Sequence, residues 1–436
     1  MIDPKWEIGD YLALADEHGF QITHILETHN HADHVSGHGR LRQATGAAIH
    51  VSKDAGVAYD HEALIDGDTV EVGKARITAR ATPGHRPEHL AYLVEDTSRS
   101  NEPWLLITGD SLFVGDLARP DLAVEPEEGA RDLHRSLRKL LELPDYAEVW
   151  PGHIGGSLCG DAGMSEKPGS TLGYERRFNR LLGLDDEEAF VTELTSELAP
   201  QPPNFKRIVA LNQGPLLTEA TALEPLTPRR VQELAEQGAT LVDGRATREH
   251  DATHVPGSLN VTMINAAVGT RAAWVIDPQS EVIVMAASDA DARRLARMLE
   301  AVGFRNIAGH LAGGIAAWEG AGLQTETTPV IDVSTLAERL KSEEVVLLDV
   351  REDDEWEAGH VEGSVHVPYH ELRDGPPAGL QPDARPVAVA CSAGNRSSLA
   401  VSLLRRAGID NLVHVADGGV ADLSEHGVEL IKEGAA

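Results

Sequence analysis

At 436 residues the chain exceeds what one hydrophobic core organises, so two or three domains are expected. Its 70 acidic against 38 basic side chains leave a formal net charge of −32, which makes nucleic acid and anionic membranes poor partners and fits either a salt-adapted surface or an ordinary acidic cytosolic enzyme. No apolar run approaches the length that spans a bilayer, the opening Met-Ile-Asp-Pro-Lys-Trp lacks a basic and apolar leader, and two cysteines exclude a disulfide framework; a cytoplasmic location without membrane partners is expected.

The first informative element is the strand-like run from Ile22 to Leu26, which delivers Thr28-His29-Asn30-His31-Ala32-Asp33-His34. His29, His31, Asp33 and His34 crowd four metal-capable side chains together, and each imidazole needs a hydrogen-bond partner or a metal once partly buried. A His-rich surface turn is the bland alternative. Against it stand His85 in Thr-Pro-Gly-His, Asp110 after the apolar run Trp104–Ile107, and His153 in Trp-Pro-Gly-His. All three lie where strands deliver residues into loops. Imidazole and carboxylate ligands fit zinc, iron or manganese.

This run, His-x-His-x-Asp-His followed by His, Asp and His, resembles the metallo-β-lactamase superfamily. The resemblance implies an αββα sandwich over residues 1–222, with strand-end loops converging on one or two metals. In two-metal members the positions matching His29, His31, His85 and Asp110 hold one ion; Asp33, His34, His153 and a bridging Asp110 hold the other.

Pro200-Gln201-Pro202-Pro203 punctuates the end of that region. Beyond it, Thr227-Pro228 reads as a helix start with Thr227 as N-cap, and Ser334 reads as the N-cap of a second helix about 107 residues later. Between these starts the chain repeats itself: Leu241-Val242-Asp243-Gly244-Arg245 answers Leu347-Leu348-Asp349-Val350-Arg351, His254 answers His360, and Gly313-Gly314 answers Gly418-Gly419. The period is too long for a solenoid and marks a duplicated domain, residues 223–326 and 327–436. Strands alternate with helical runs in both copies, which argues for α/β units with parallel sheets.

The second copy holds the chemistry. Val387–Ala390 reads as a buried strand, followed by Cys391-Ser392-Ala393-Gly394-Asn395-Arg396-Ser397 and a helix over 398–406. A cysteine between a strand end and a helix N-terminus lies among converging N–H groups that stabilise a thiolate or persulfide, and Arg396 adds charge. The segment resembles the rhodanese family, with Asp349, Arg351, His360 and Asp417-Gly418-Gly419 as further marks; four residues between Cys391 and Arg396 make a loop that suits sulfur rather than phosphate. In the first copy Ala286 falls opposite Cys391, and Ala287-Ser288-Asp289-Ala290-Asp291 brings two acids that cannot stabilise a thiolate. That copy reads as a degenerate rhodanese serving as spacer, docking surface or interface.

A metallo-β-lactamase domain followed by a dead and a live rhodanese resembles the multidomain persulfide dioxygenase–sulfurtransferases of sulfide detoxification. Leu26-Glu27-Thr28-His29, Arg119-Pro120-Asp121-Leu122 and Ser170-Thr171-Leu172-Gly173-Tyr174-Glu175-Arg176-Arg177 match as well. The resemblance implies one Fe(II) per metal domain held by His29, His85 and Asp110, with open positions for a thiol persulfide and O2. His31, Asp33, His34 and His153 then support the site through hydrogen bonds. Oxidation to sulfite, sulfur transfer through Cys391 with thiosulfate as product, and a homo-oligomer (dimer or tetramer) are expected. Arg119 is either an anchor for a substrate carboxylate or a structural ion pair; Cys159 either lies near the metal or packs in a Gly-rich turn. Family members carry another strand or two before the segment matching Ile2-Asp3-Pro4; either the start is assigned late or the domain tolerates the loss of an edge hairpin from its first sheet. Two other readings stay open. One is a two-zinc thioester hydrolase of the glyoxalase II type; the other is a non-catalytic persulfide carrier.

Overall fold

The computed structural model describes residues 1–160, 163–196, 198–264, 267–377, 380 and 385–432, and the chain parts into two compact units, Met1–Glu219 and Ala220–Ala436. In the first unit β1 (His24–Leu26), β2 (Ala48–Ser52) and β3 (Glu62–Leu64) form a parallel three-stranded sheet. Ile2 bridges to Leu26 alongside it. A six-stranded sheet follows in sequence order: β4 (Thr69–Val72), β5 (Ala75–Ala81), β6 (Leu90–Asp96), β7 (Leu105–Gly109), β8 (Glu148–Pro151) and β9 (Ser170–Thr171). It is antiparallel except where β7 pairs with β8.

Period-two alternation builds the layers. Leu26 of β1 joins Val70, Ala79, Leu90 and Tyr92 in the core between the two sheets, while its neighbour Ile25 points to the opposite face, among Ile8, Leu41, Ile49 and Val51. The helices Gly9–Glu17 and His38–Thr45 supply that outer cover. On the far side of the second sheet, Ala91, Leu93 and Leu106 meet Leu140 of the helix Pro126–Leu140. The result is the αββα metallo-β-lactamase sandwich. The strand expected from Ile22 begins only at His24.

The second unit contains two five-stranded parallel sheets of the same strand order, each the core of a rhodanese domain. In the first copy β10 (Pro225–Leu226), β11 (Thr240–Asp243), β12 (Leu259–Asn260), β13 (Val282–Met285) and β14 (Ile307–Leu311) run in the order β10-β14-β13-β11-β12. In the second, β15 (Val330–Asp332), β16 (Val346–Asp349), β18 (Val365–His366), β19 (Val387–Ala390) and β20 (Leu412–Asp417) run β15-β20-β19-β16-β18. A short antiparallel pair, β17 (His360–Val361) and β21 (Leu430–Ile431), closes it. The repeated Asp-x-Arg motif is structural: Arg245 clasps Asp243, and Arg351 clasps Asp349, each with a closest contact of 2.6 Å in the buried interior.

Thr227 caps the helix Pro228–Glu236 by accepting from the Arg230 N–H. The corresponding cap of the helix Val333–Lys341 is Asp332 rather than Ser334, because its carboxylate reaches the Thr335 N–H at 2.7 Å and also receives the Ser334 hydroxyl. The helix expected from Ser398 starts at Asn395, since Gly394 takes φ +86° and turns the chain where an added Cβ would lie 2.9 Å from the Ala416 carbonyl oxygen. Among the described residues no helix is long and apolar enough to cross a membrane.

Leu133, fully buried between Leu112, Leu137, Val149 and Phe190, holds the long helix to its sheet. Leu133→Ala should lower unfolding free energy by about 2–5 kcal/mol, read from the midpoint of a denaturant titration.

Candidate metal centre and cysteine site

Each ligand residue follows a strand. His29 lies after β1, His85 in the Pro-Gly turn after β5, Asp110 directly after β7, and His153 after β8. Nε2 of His29 and His85 stand 4.0 and 3.6 Å from Asp110 Oδ2, and one ligand atom from each of the three lies within 4.8 Å of the others. Hydrogen bonds fix both rings. His85 Nδ1–H donates to the Arg119 carbonyl at 2.9 Å, which leaves Nε2 as a lone pair. Thr28 gives its hydroxyl proton to Asp3, so its oxygen accepts from His29 Nδ1 at 2.9 Å, and His29 Nε2 is likewise a lone pair. Burial holds the His29 imidazole well below its usual range, with His31 and His85 adding to the effect, and burial lowers His85 too.

Two lone pairs and a carboxylate thus face one another in the buried interior, and neither Nε2 nor Asp110 Oδ1 has a hydrogen-bond partner among the described residues. A cation is the group these atoms fit, and oxygen and imidazole donors suit iron, zinc or manganese.

His31 stands apart from the three. Its Nε2 lies 3.2 Å from Asp3 and 3.4 Å from Glu27; although burial works the other way, these carboxylates raise it well above the ordinary histidine range. Asp33 joins His34 at 3.1 Å and His153 at 3.5 Å, and His153 reaches Asp110 at 3.2 Å. Burial opposes a charge on His153, but Asp110, Cys159 and Asp33 raise it well above its usual value. Cys159 packs with Phe113, Ala118 and Met164 while its sulfur also neighbours Asp33 and His153; burial, then Asp110, pushes its thiol up to about 12. Arg119 turns inward: Nε and Nη2 bind Asp121 at 2.6 and 2.7 Å, and the Ala199 and Leu158 carbonyls take two further N–H groups. One N–H of its five remains outside these contacts.

Sequence reasoning missed His89. It accepts the Asp110 backbone N–H at 3.0 Å and gives Nδ1–H to Thr82 at 2.8 Å; burial, with His85 beside it, pushes it down to about 3, so it stays a neutral prop beneath the carboxylate. Asp3, Glu27 and His38 were missed as well. Asp3 and His38 meet the His-rich segment only through packing, whereas Glu27 stands four residues before His31 and reaches it at 3.4 Å.

In the second unit Cys391 ends β19, buried, with the Gly394 N–H 3.1 Å and the Ser397 hydroxyl 3.4 Å from Sγ. Ser392 and Asn395 border the loop, with Ala393 at its tip. Arg396 does not stand free: Nη1 and Nη2 meet Glu355 at 2.5 and 2.8 Å, and Nη2 meets Ser392 at 2.8 Å. Burial would raise the Glu355 carboxyl, but Arg396 and Ser392 hold it at about 2. Glu355 was not legible as part of the loop from sequence. In the first copy Gly244 N–H binds the Met285 carbonyl as Val350 N–H binds that of Ala390, which sets Ala286 at the position of Cys391.

Residues 1–153 match the family model of the metallo-beta-lactamase superfamily, and residues 227–321 and 332–426 each match that of the rhodanese-like domain. The chain is 30% identical over 216 residues to the mitochondrial persulfide dioxygenase ETHE1 of Bos taurus, covering 49% of this chain and 77% of that one. It is 36% identical over 160 residues to a hydroxyacylglutathione hydrolase of Rhodospirillum rubrum, covering 35% of this chain and 56% of that one, so it spans about half the hydrolase's length. Among solved structures, the metallo-beta-lactamase from Staphylococcus aureus subsp. aureus COL superposes with a TM-score of 0.62 at 28% identity, over 71% of this chain and 90% of that one.

Gly84, which turns the chain into His85, has no room for a side chain: an added Cβ would lie 2.5 Å from Leu133 Cβ and 2.6 Å from its Cα. Gly84→Ala should therefore displace His85 and lower bound metal per chain at least several-fold, measured by elemental analysis. The depressed Glu355 carboxyl stabilises the fold above the ordinary Glu value of 4.5, and this contribution disappears as pH falls toward 2. Glu355→Gln should melt below wild type at pH 6, with the gap closing over that acid window.

Proposed function

The chain belongs to the metallo-β-lactamase superfamily and carries tandem rhodanese-like domains, and on that premise we propose that it is a non-haem iron persulfide dioxygenase coupled to a sulfurtransferase. The observation that carries this reading is the ligand set: His29, His85 and Asp110 meet, while His31 is drawn away onto Asp3 and Glu27. Two imidazoles and one carboxylate form a face that leaves coordination positions free for substrate and oxygen. The similarity to a persulfide dioxygenase supports the substrate class, and so does a persulfide-type cysteine loop on the same chain.

Iron held by these three residues would supply the oxygen chemistry, in net terms a thiol persulfide plus O2 and water giving the thiol and sulfite. The protein's part is orientation. Thr28 and the Arg119 carbonyl keep both Nε2 atoms aimed inward, and His89 fixes the Asp110 backbone. His153, 3.2 Å from Asp110 and 3.5 Å from Asp33, braces the carboxylate against the His-rich loop.

At the second site the Cys391 thiolate attacks the sulfane sulfur of a persulfide. A new S–S bond forms, the old one breaks, and the donor leaves as thiolate. Sulfite then attacks the outer sulfur, leaves as thiosulfate and returns Cys391 as thiolate. The Gly394 N–H donates to the sulfur throughout.

A second reading, a two-zinc thioester hydrolase, is favoured by one observation: Asp33 lies 3.1 Å from His34 and 3.5 Å from His153, which itself reaches Asp110 at 3.2 Å. The hydroxyacylglutathione hydrolase similarity points the same way.

Metal analysis with an oxygen-electrode assay on glutathione persulfide separates the two. The proposal expects one iron per chain and O2 uptake; two zincs without uptake would overturn it. His85→Ala should abolish O2 uptake and spare sulfur transfer, whereas Cys391→Ser should do the reverse.

A further inference from the structure

The second copy of the rhodanese fold is not self-sufficient around its cysteine. His414, in the middle of β20, is fully buried, and its Nδ1 lies 2.7 Å from Oδ2 of Asp251, a residue of the first copy on the helix Thr247–Ala252. On the other edge of the ring, Nε2 lies 2.9 Å from the Gly394 carbonyl and 3.0 Å from the Ser397 hydroxyl, and that hydroxyl lies 3.4 Å from Cys391 Sγ. We propose that the Cys-less copy supplies Asp251 as a positioning residue for the nucleophile, acting on Cys391 through His414 and Ser397.

Donor arithmetic gives the relay its direction. A carbonyl oxygen and a carboxylate only accept, so a ring bound to both Gly394 and Asp251 carries a proton on each nitrogen. Its charge is balanced by Asp251. Nε2–H is then shared between the Gly394 carbonyl and Ser397 Oγ, which frees the Ser397 proton to donate to sulfur. The thiolate gains a second donor beside the Gly394 N–H. With a neutral ring the Nε2 lone pair would draw the Ser397 proton away from the sulfur. The first copy, having lost its cysteine, thereby acts on the sulfur of the second.

Other charged and titratable groups surround this path. Arg396 faces Cys391 but is bound by Glu355, with Glu352 at 3.7 Å. Arg271 of the first copy and Tyr369 also act within range of the sulfur or of one another. Near His414 lies His250, held neutral by burial and then by His254, with Arg245 and Arg405 beyond.

The inference rests on the sulfur-transfer half of the function proposed above, and full-chain variants test the two separately. Alkylation of Cys391 by iodoacetamide, followed across pH by peptide mass spectrometry, reads thiolate formation without any turnover. Asp251→Asn and Ser397→Ala should each raise the alkylation midpoint by about one unit, roughly a tenfold loss of thiolate at neutral pH. Each should also lower kcat for thiosulfate-to-cyanide transfer about tenfold with little change in KM. The double variant should be no worse than the more affected single one. An unchanged midpoint in folded Asp251→Asn, or additive losses, overturns the proposal. Nitrogen NMR of the wild-type His414 ring provides a check that no variant's folding can spoil: both nitrogens should be protonated at neutral pH, and a neutral ring overturns the relay. If wild type transfers no sulfur while its midpoint still responds to Asp251→Asn, sulfur transfer fails and the positioning role stands.

Discussion

Three buried acceptor atoms without donors among the described residues, Nε2 of His29, Nε2 of His85 and Oδ1 of Asp110, are the constraint on which the first unit depends. An unpaired buried polar group costs about 1–3 kcal/mol by mutational measures. Three together, about 3–9 kcal/mol, are comparable with the net stability of a domain, about 5–15 kcal/mol. Such an arrangement would be tolerable with a cation in place of the donors these atoms lack. The surrounding hydrogen bonds spend the opposite ring nitrogens on Thr28 and the Arg119 carbonyl, so neither imidazole can turn to satisfy itself.

The same logic sorts the remaining residues of the His-rich loop. His31 has two carboxylates of its own, Asp3 and Glu27, and is charged where His29 is neutral. Asp33 and His153 connect the loop to Asp110 and to the buried Cys159 thiol. Two neighbouring histidines in one short loop therefore have opposite electrostatic roles, decided by which carboxylates the fold places beside each. Glu27 is itself enclosed by Ser36 and His38, so its charge is fixed in place rather than solvated.

The second unit uses a related device at a different atom. A parallel strand ends just before Cys391, the helix Asn395–Arg406 begins behind it, and the Gly394 N–H donates to the sulfur. Around this core the duplicated copy differs: Ala286 stands at the place of Cys391, while the Asp243–Arg245 clasp is kept. Ser398 and Ser402 of the live copy hydrogen-bond Asn260 of the first, so the two copies of this unit share buried polar contacts as well as ancestry. The Arg396–Glu355 pair shows that a cation near a nucleophile need not act on it as a free charge.

Sequence by itself determined what is local. Period-two strands, the Thr227–Pro228 helix start, the Pro-Gly-His turns, the strand-loop-helix around Cys391 and the internal repeat are set by spacing and by backbone chemistry within a few residues. It could not show His89 beneath Asp110, Asp3 beside His31, Glu355 across from Arg396, or Asp251 behind His414, because these partners lie tens to more than a hundred residues apart and meet only when sheets and helices pack. The inward turn of Arg119 onto Asp121 is likewise a product of burial, since an exposed guanidinium two residues from an aspartate would have been free to turn outward. Residue identity decided which chemistries were available; tertiary contact decided which nitrogen carries a proton, and therefore which side chains face a metal and which face one another.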